Sequence, residues 1–428
     1  MSTRCIPRVL STIALLTLSA GYIRADESDS PPPPVQEFLI QGKLADGHAA
    51  MAELIKASPE DQQARFSLGV VQFLEAVEGL SQNQYHYGLL QTRLRQMPFV
   101  RLPVPPNAKP ETISYESARK MIQQFADDLA AAEATLANVD TDDVKLPLHF
   151  GRIRLDLDGD GTANEAETLW KIFQLLNGAV RREDGEAFQI TFDGGDVPWL
   201  RGYCHLLMAM SEATLAHDWH DVFERTAHLF YPKVESPYEF LQKEGPGPFN
   251  GFNAGNFLDV IAMVHLVNFP VSEPKRMQSA LKHLEAMIEL SRESWKLIQA
   301  ETDDDREWLP NPEQTGVIPN VRVRQDMIDG WHEFLDEMEH LLNGTKLIPF
   351  WRGTPGGVVA GVVPINAKYG INLRRVFTEP QRLDLVLWIQ GTAAMTYLEE
   401  GDRTDTAVWE RLARVFGGEF FGFAIWFN

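Results

Sequence analysis

The chain is read as mainly α-helical, a set of helical hairpins or a bundle with a few accessory strands, on three observations. Long segments repeat apolar residues at spacings of three and four, the stretches between them are rich in Gly and Pro, and strand-like alternation is confined to short pieces. The segment Ser114–Ala137 shows the pattern well, since Ala118, Met121, Ile122, Phe125, Leu129 and Leu136 fall on one face. It follows a proline-rich connection from Pro98 to Pro110. Further amphipathic segments cover Trp199–Tyr231, Asn256–Val267, Glu273–Ala300, Gln325–Leu342 and Gln381–Tyr397. Strand-like pieces fall at Val358–Val363 and Glu419–Trp426.

The beginning of the chain reads as a secretory signal over residues 1–25. Arg4 and Arg8 supply a positive start, Val9–Ile23 is mostly apolar, and Ala25 is a small residue ahead of Asp26. The competing reading, an uncleaved anchor, is weakened because Ser11, Thr12, Thr17, Ser19 and Gly21 interrupt a run already short for a span. Residues 26–34, ending in four prolines, read as a linker. The remainder divides into a helical region (35–145), a metal-loop module (146–198) and a C-terminal helical region with short strands (199–428). A periplasmic or secreted protein is therefore expected, with no transmembrane span once the signal is removed.

The formal charge is −21, and losing residues 1–25 removes Arg4, Arg8 and Arg24 and no acid. Such a balance argues against nucleic acid and anionic lipid as partners and favours cations. Cys5 lies in the signal, which leaves Cys204 alone, so no intramolecular disulfide braces the exported chain. Cys204 stands among Leu206, Leu207 and Met208 and is read as a small core residue.

The densest chemistry lies in Asp156–Glu167, Asp-Leu-Asp-Gly-Asp-Gly-Thr-Ala-Asn-Glu-Ala-Glu. Asp156, Asp158 and Asp160 alternate along the loop, Gly161 stands at the turn, and Glu167 closes it. Hard cations take six to eight oxygens, and four carboxylates this close repel one another unless a cation joins them. The loop resembles the EF-hand calcium loop. The resemblance implies that Asp156, Asp158, Asp160 and Glu167 are ligands, that Thr162 offers its backbone carbonyl, and that Asn164 acts directly or through a water. Two positions depart from the family: Ala163 stands where a branched apolar residue is preferred, and Thr168 follows the loop. The incoming segment 150–156 alternates and contains Gly151, so the incoming helix is expected to be short or absent, whereas Glu165–Leu176 reads as the outgoing helix. No second complete loop follows. Phe188–Phe192 is expected either to lie beside Thr162–Asn164 as a degenerate mate or to form a hairpin strand, with a Gly-Gly turn and Asp196 capping the next helix.

A weaker resemblance covers about residues 42–69. Gly42, Met51, Leu54, Pro59, Leu68 and Gly69 sit at offsets similar to the tail of one tetratricopeptide repeat and the head of the next. An ordinary helical hairpin is the competing reading. The repeat would imply a groove for a peptide or envelope protein, the hairpin a packing unit.

Catalytic signatures are sparse. His217, His220, Asp221, Glu224 and His228 lie on one predicted helix, but Leu215, Trp219, Val222, Leu229 and Phe230 gather opposite them, as on any solvated amphipathic helix. The run His332–Asp336 lacks the second His of the zinc-protease helix. Nucleophile-elbow, phosphate-loop and dinucleotide patterns are missing, and acids such as Asp304 and Glu307 are too common to single out as a glycosidase pair. The sequence is thus read as an exported calcium-binding protein, the ion structural, within a helical binding or scaffold protein. The alternative is an exported hydrolase braced by calcium.

Overall fold

The computed structural model describes residues 32–90, 102, 104–142, 144–176, 181–242, 254–318, 322–351, 369–416, 424 and 427. The expected signal, residues 26–31 of the linker and the strand at 358–363 lie outside these residues, as does all but Ala424 of the piece at 419–426. Within them the protein is mainly α-helical, with fourteen α-helices and seven short strands.

The amino-terminal part stacks α1 (Pro34–Gln41), α2 (Leu44–Ala57), α3 (Gln62–His86) and α4 (Tyr115–Leu136). Each is bounded by a local signal. Pro34 opens α1, Gly42 ends it in the left-handed region (φ 66°), and the Asp61 and Ser114 side chains accept from Ala64 N–H and Ser117 N–H at the starts of α3 and α4. Gly69 lets α4 approach α3, because a Cβ there would stand 2.4 Å from the Leu136 side chain. Strand β1 (Lys145–Leu148) pairs antiparallel with β2 (Ile190–Asp193), Leu146 opposite Phe192. Between them lie the acidic loop 156–167, α5 (Leu169–Leu176) and α6 (Arg182–Glu186). One core joins Val35, Leu39, Met51, Phe66, Val71, Leu146, Ile153, Leu155, Leu157 and Val197. The loop is thereby seated on the helical stack.

Helix α7 (Asp196–Leu215) packs along α10 (Pro274–Ile298) and also against α4. Between α7 and α10 come α8 (His220–Thr226), α9 (Ala254–Leu266) and β3 (Asn268–Phe269). Beyond α10 stand α11 (Gln325–Leu342), β4 (Ile348–Pro349), β5 (Tyr369–Ile371), α12 (Leu373–Thr378), β6 (Leu383–Asp384), α13 (Leu385–Gln390), β7 (Leu398–Glu400) and α14 (Thr406–Val415). Strand β5 is the centre of an antiparallel sheet β4-β5-β7, and β3 pairs with β6. A second core gathers Trp295, Ile298, Met327, Trp331, Leu335, Leu412, Phe416 and Phe427. The Trp295 indole N–H donates to the Phe427 carbonyl (3.2 Å), and the Trp331 indole N–H donates to Ser291 (2.9 Å). Among the described residues no helix is long and apolar enough to cross a membrane.

Two predicted helices are interrupted, each for a physical reason. Trp199–Tyr231 is split into α7 and α8 because tertiary donors take the carbonyls that the next turn would have used. Arg119, from α4, donates to Leu215 O (2.8 Å) and His217 O (2.9 Å), and the N–H groups of Ser272 and Glu273 both reach Ala216 O. Gln381–Tyr397 is broken at Gly391, whose φ of 106° ends α13. The expected outgoing helix Glu165–Leu176 begins as a 3₁₀ turn, Glu165–Glu167, and becomes α-helical at Leu169.

Where α4, α7 and α10 meet, the rings of His205 and His283 share a hydrogen bond (Nδ1 to Nδ1, 2.8 Å), and Arg201 donates to Glu133 (3.0 Å). Burial and the neighbouring His205 hold His283 below the ordinary imidazole value of 6.5. The fold therefore resists a proton that the unfolded chain accepts, so stability is expected to fall as pH drops below about 6.5. The hydrogen bond from His205 holds the Glu133 carboxyl below its ordinary 4.5, aided by Arg201, and its contribution is lost only at still lower pH. In thermal melts between pH 7 and 5, His283→Gln should flatten the fall in melting temperature. A slope equal to that of the unaltered chain would contradict this reading.

Candidate metal centre

The chain enters the loop through a 3₁₀ turn, Phe150–Arg152, and an extended arm rather than an α-helix. Ile153, Leu155 and Leu157 point into the core, which fixes Asp156 and Asp158 on the opposite side. The two arms of the loop are joined by Leu155 N–H to Glu167 O (3.2 Å) and Leu169 N–H to Ile153 O (2.9 Å). Gly159 (φ 72°) and Gly161 (φ 86°) adopt the left-handed conformation that turns the chain between them.

This folding brings ligand oxygens of Asp156, Asp158 and Glu167 within 4.8 Å of one another. The Asp156 carboxylate accepts Gly159 N–H and Gly161 N–H, one on each oxygen, both at 2.9 Å. Glu167, only 3 % exposed, accepts Leu157 N–H on Oε1 and Asn164 N–H on Oε2, again at 2.9 Å. Each carboxylate oxygen carries two lone pairs, so these donors orient the acids and leave capacity for a cation on both Asp156 oxygens and on Glu167 Oε1. The donor set is oxygen only, which suits a hard ion.

Of the other three expected ligands, Asp160 is not among the acids that converge, while Asn164 lies beside Glu167. Asp160 is exposed and its carboxylate accepts Thr162 N–H (2.8 Å). Thr162 is exposed as well. Asn164 caps the 3₁₀ turn, accepting Ala166 N–H (2.8 Å) and donating from its amide to Glu167 Oε2 (2.6 Å).

Three partners of the loop escaped the sequence reading. From α3, Glu78 accepts Asp156 N–H (2.7 Å) and Gln82 donates to Asp156 O (2.8 Å). Glu78 and Gln82 are four apart on a helix face, a spacing no different from any other amphipathic pair, so only the tertiary structure reveals the contact. The third is Gly42, whose Cβ, if it had one, would lie 2.1 Å from the Ala163 Cβ. That approach explains the departure at Ala163, since a branched side chain there has no room beneath the α1–α2 turn. Strand β2 is not the mate of the loop. It pairs with β1, and the Gly-Gly turn then leads directly into α7 at Asp196.

The electrostatics are those of acids gathered without a matching base. Burial pushes Glu78 up to about 7, against the hydrogen bond from Asp156 and with repulsion from Asp156, Glu75 and Glu167. Burial also raises Glu167 and Asp158, and the neighbouring aspartates add to it. Arg182 pairs with Glu186 (2.7 Å) and, of the loop, with the outward Glu165 (2.8 Å).

The histidine stripe does not assemble. His217 is buried between α7 and α8 and its Nδ1 bonds to Ala213 O (2.8 Å), Asp221 pairs with Arg225 (2.8 Å), and His228 lies 3.2 Å from Asp259. Ile328, Trp331, Leu335 and Leu342 are core residues of α11. Cys204 is fully buried and burial pushes its thiol up to about 12, so it is a packing residue. No family model, curated protein or solved structure matches the chain.

Proposed function

We propose that this is an exported calcium-binding protein in which the loop 156–167 holds one calcium ion as a structural brace, within a helical protein that serves as a binding scaffold. The observation that carries the reading is the convergence of Asp156, Asp158 and Glu167 at the end of arms already fixed by the core. Bound there, calcium would neutralise acids that burial and mutual repulsion otherwise hold at a cost, and would tie α5 to the stack of α1–α3. A lone site with exposed flanks is suited to weak binding, with a dissociation constant on the order of 10⁻⁴ to 10⁻³ M, matched to compartments where calcium is abundant. Export is supported by the pattern of residues 1–25.

The scaffold part of the proposal draws on exposed apolar side chains. Leu258, Val260, Ile261 and Val264 on α9 and Val386, Leu387 and Ile389 on α13 face solvent, and the two helices are in contact. Exposed apolar patches of this kind mark interaction surfaces.

Thermal melts of the full chain in chelator and in calcium test the metal reading. At about a hundredfold excess over the dissociation constant, one site stabilises the fold by about 2.7 kcal/mol. The melting temperature is expected to rise with calcium, and to rise less for Asp156→Ala. An equal rise in both chains would remove the loop from the account.

A further inference from the structure

We propose that Asp193, Asp196, Glu301 and Glu307 form a second divalent-cation site, with calcium as its ligand, which clasps the β2–α7 turn to the segment that follows α10. The site is separate from the loop and does not depend on it. Asp193 ends β2 and Asp196 opens α7, while Glu301 and Glu307 return to them from beyond Ile298, the last residue of α10. Ligand oxygens of Asp193, Glu301 and Glu307 all lie within 4.8 Å of one another.

The second observation is Asp196. It is 4 % exposed and lies close enough to Asp193, Glu301 and Glu307 to be repelled by all three. Its Oδ2 accepts Asp193 N–H (3.1 Å), but Oδ1 is buried with no hydrogen-bond partner. Glu301 shows the same asymmetry: Oε2 accepts from Gln314 (3.2 Å), and Oε1 is buried without a donor. Orphan acceptors in the interior destabilise a fold, and two of them in a single acidic cluster are what a shared cation satisfies.

The surroundings fit. Asp193 Oδ1 is held by Gly195 N–H (2.9 Å) and Glu307 Oε1 by Asp305 N–H (2.6 Å), so backbone donors fix the acids in place. A Cβ at Gly195 would stand 2.7 Å from both Glu301 Oε1 and Ile298 Cγ1 and 3.4 Å from Asp193 Oδ1, so the glycine leaves the space beside the acids open. The lysine of the neighbourhood, Lys145, is paired with the exposed Asp303 and Asp305 and acts on Asp193 only as a further, opposing charge. Four carboxylates with no imidazole or thiolate exclude a preference for zinc or copper. Magnesium takes one or two carboxylates and keeps its waters, whereas calcium accepts a crowded carboxylate shell. An ion here would join the two cores, since α7 contributes to the first and α10 to the second.

A proton shared between Asp193 and Glu301 is the rival way to hold these acids together, and Glu301→Gln separates the two. Its amide donates to Asp193 as the proton would, but removes a charge the cation needs. The full chain, stripped with chelator, is titrated with calcium chloride in a calorimeter. Two equivalents are expected for the unaltered chain, one for Glu301→Gln and one for Asp156→Ala. The proposal is overturned if Glu301→Gln still binds two, or if the unaltered chain binds one and Asp156→Ala none. One equivalent kept by Asp156→Ala and lost by Glu301→Gln would support this site while removing the loop. Should Glu301→Gln fail to fold, terbium emission excited through Trp308, the neighbour of Glu307, gives a second readout in the Asp156→Ala chain. Emission that calcium displaces supports the site, and none overturns it.

Discussion

Glu167→Ala is expected to abolish calcium binding at the loop and to destabilise the protein by about 2–4 kcal/mol even in chelator. The two effects share one cause. The Glu167 carboxylate accepts the N–H groups of Leu157 and Asn164 as well as the Asn164 amide, so it fastens the first arm of the loop to the last. Truncation leaves the Leu157 N–H without its acceptor in a buried setting. The half-buried Asp158 is expected to behave differently: removing it should cost affinity with little change in chelator, because the one backbone donor it accepts is Asp160 N–H (3.1 Å), and its other neighbour is the like-charged Asp156. Denaturant titrations of both variants, with and without calcium, measure these terms. A Glu167→Ala chain as stable as the unaltered one in chelator would contradict the fastening role.

Gly42→Ala is expected to cost about 1–3 kcal/mol and to weaken calcium binding, although Gly42 touches no ligand oxygen. Its φ of 66° disfavours any side chain, and the new methyl would collide with Ala163, two residues past Gly161 in the loop. The collision can be isolated by a double-mutant cycle. Ala163→Gly removes the opposing methyl, so the pair of changes together should cost less than the sum of the two alone. Additive costs would mean that backbone strain at position 42, and not the contact with the loop, accounts for the loss.

What the sequence reveals here is local. The boundaries of α4 and α11 follow from apolar spacing, with the Ser114 cap marking the start of α4, and the structure places them at Tyr115–Leu136 and Gln325–Leu342. The turn at Gly194-Gly195 and the start of α7 at Asp196 follow from the glycines, but Asp196 does not cap the helix as expected: Gly195 holds the cap position, and the Asp196 carboxylate turns back to accept Asp193 N–H. The break after Leu215 was not legible, because Arg119, nearly a hundred residues earlier, takes the carbonyls there.

The candidate site divides in the same way. The twelve-residue spacing of acids identified Asp156, Asp158 and Glu167, which do converge. It could not identify Glu78 or Gln82, whose approach depends on how α3 packs, nor explain Ala163 before Gly42 was seen above it. The acids at 193, 196, 301 and 307 are separated by more than a hundred residues at the widest, so no spacing rule could have linked them.

The central claim is that oxygens of Asp156, Asp158 and Glu167 surround a calcium ion. Crystals of the full chain grown in calcium chloride and measured for anomalous scattering test it directly. The account predicts a calcium peak about 2.3–2.6 Å from those three carboxylates. Full-occupancy water at that point, with the side chains turned out to solvent, would contradict it.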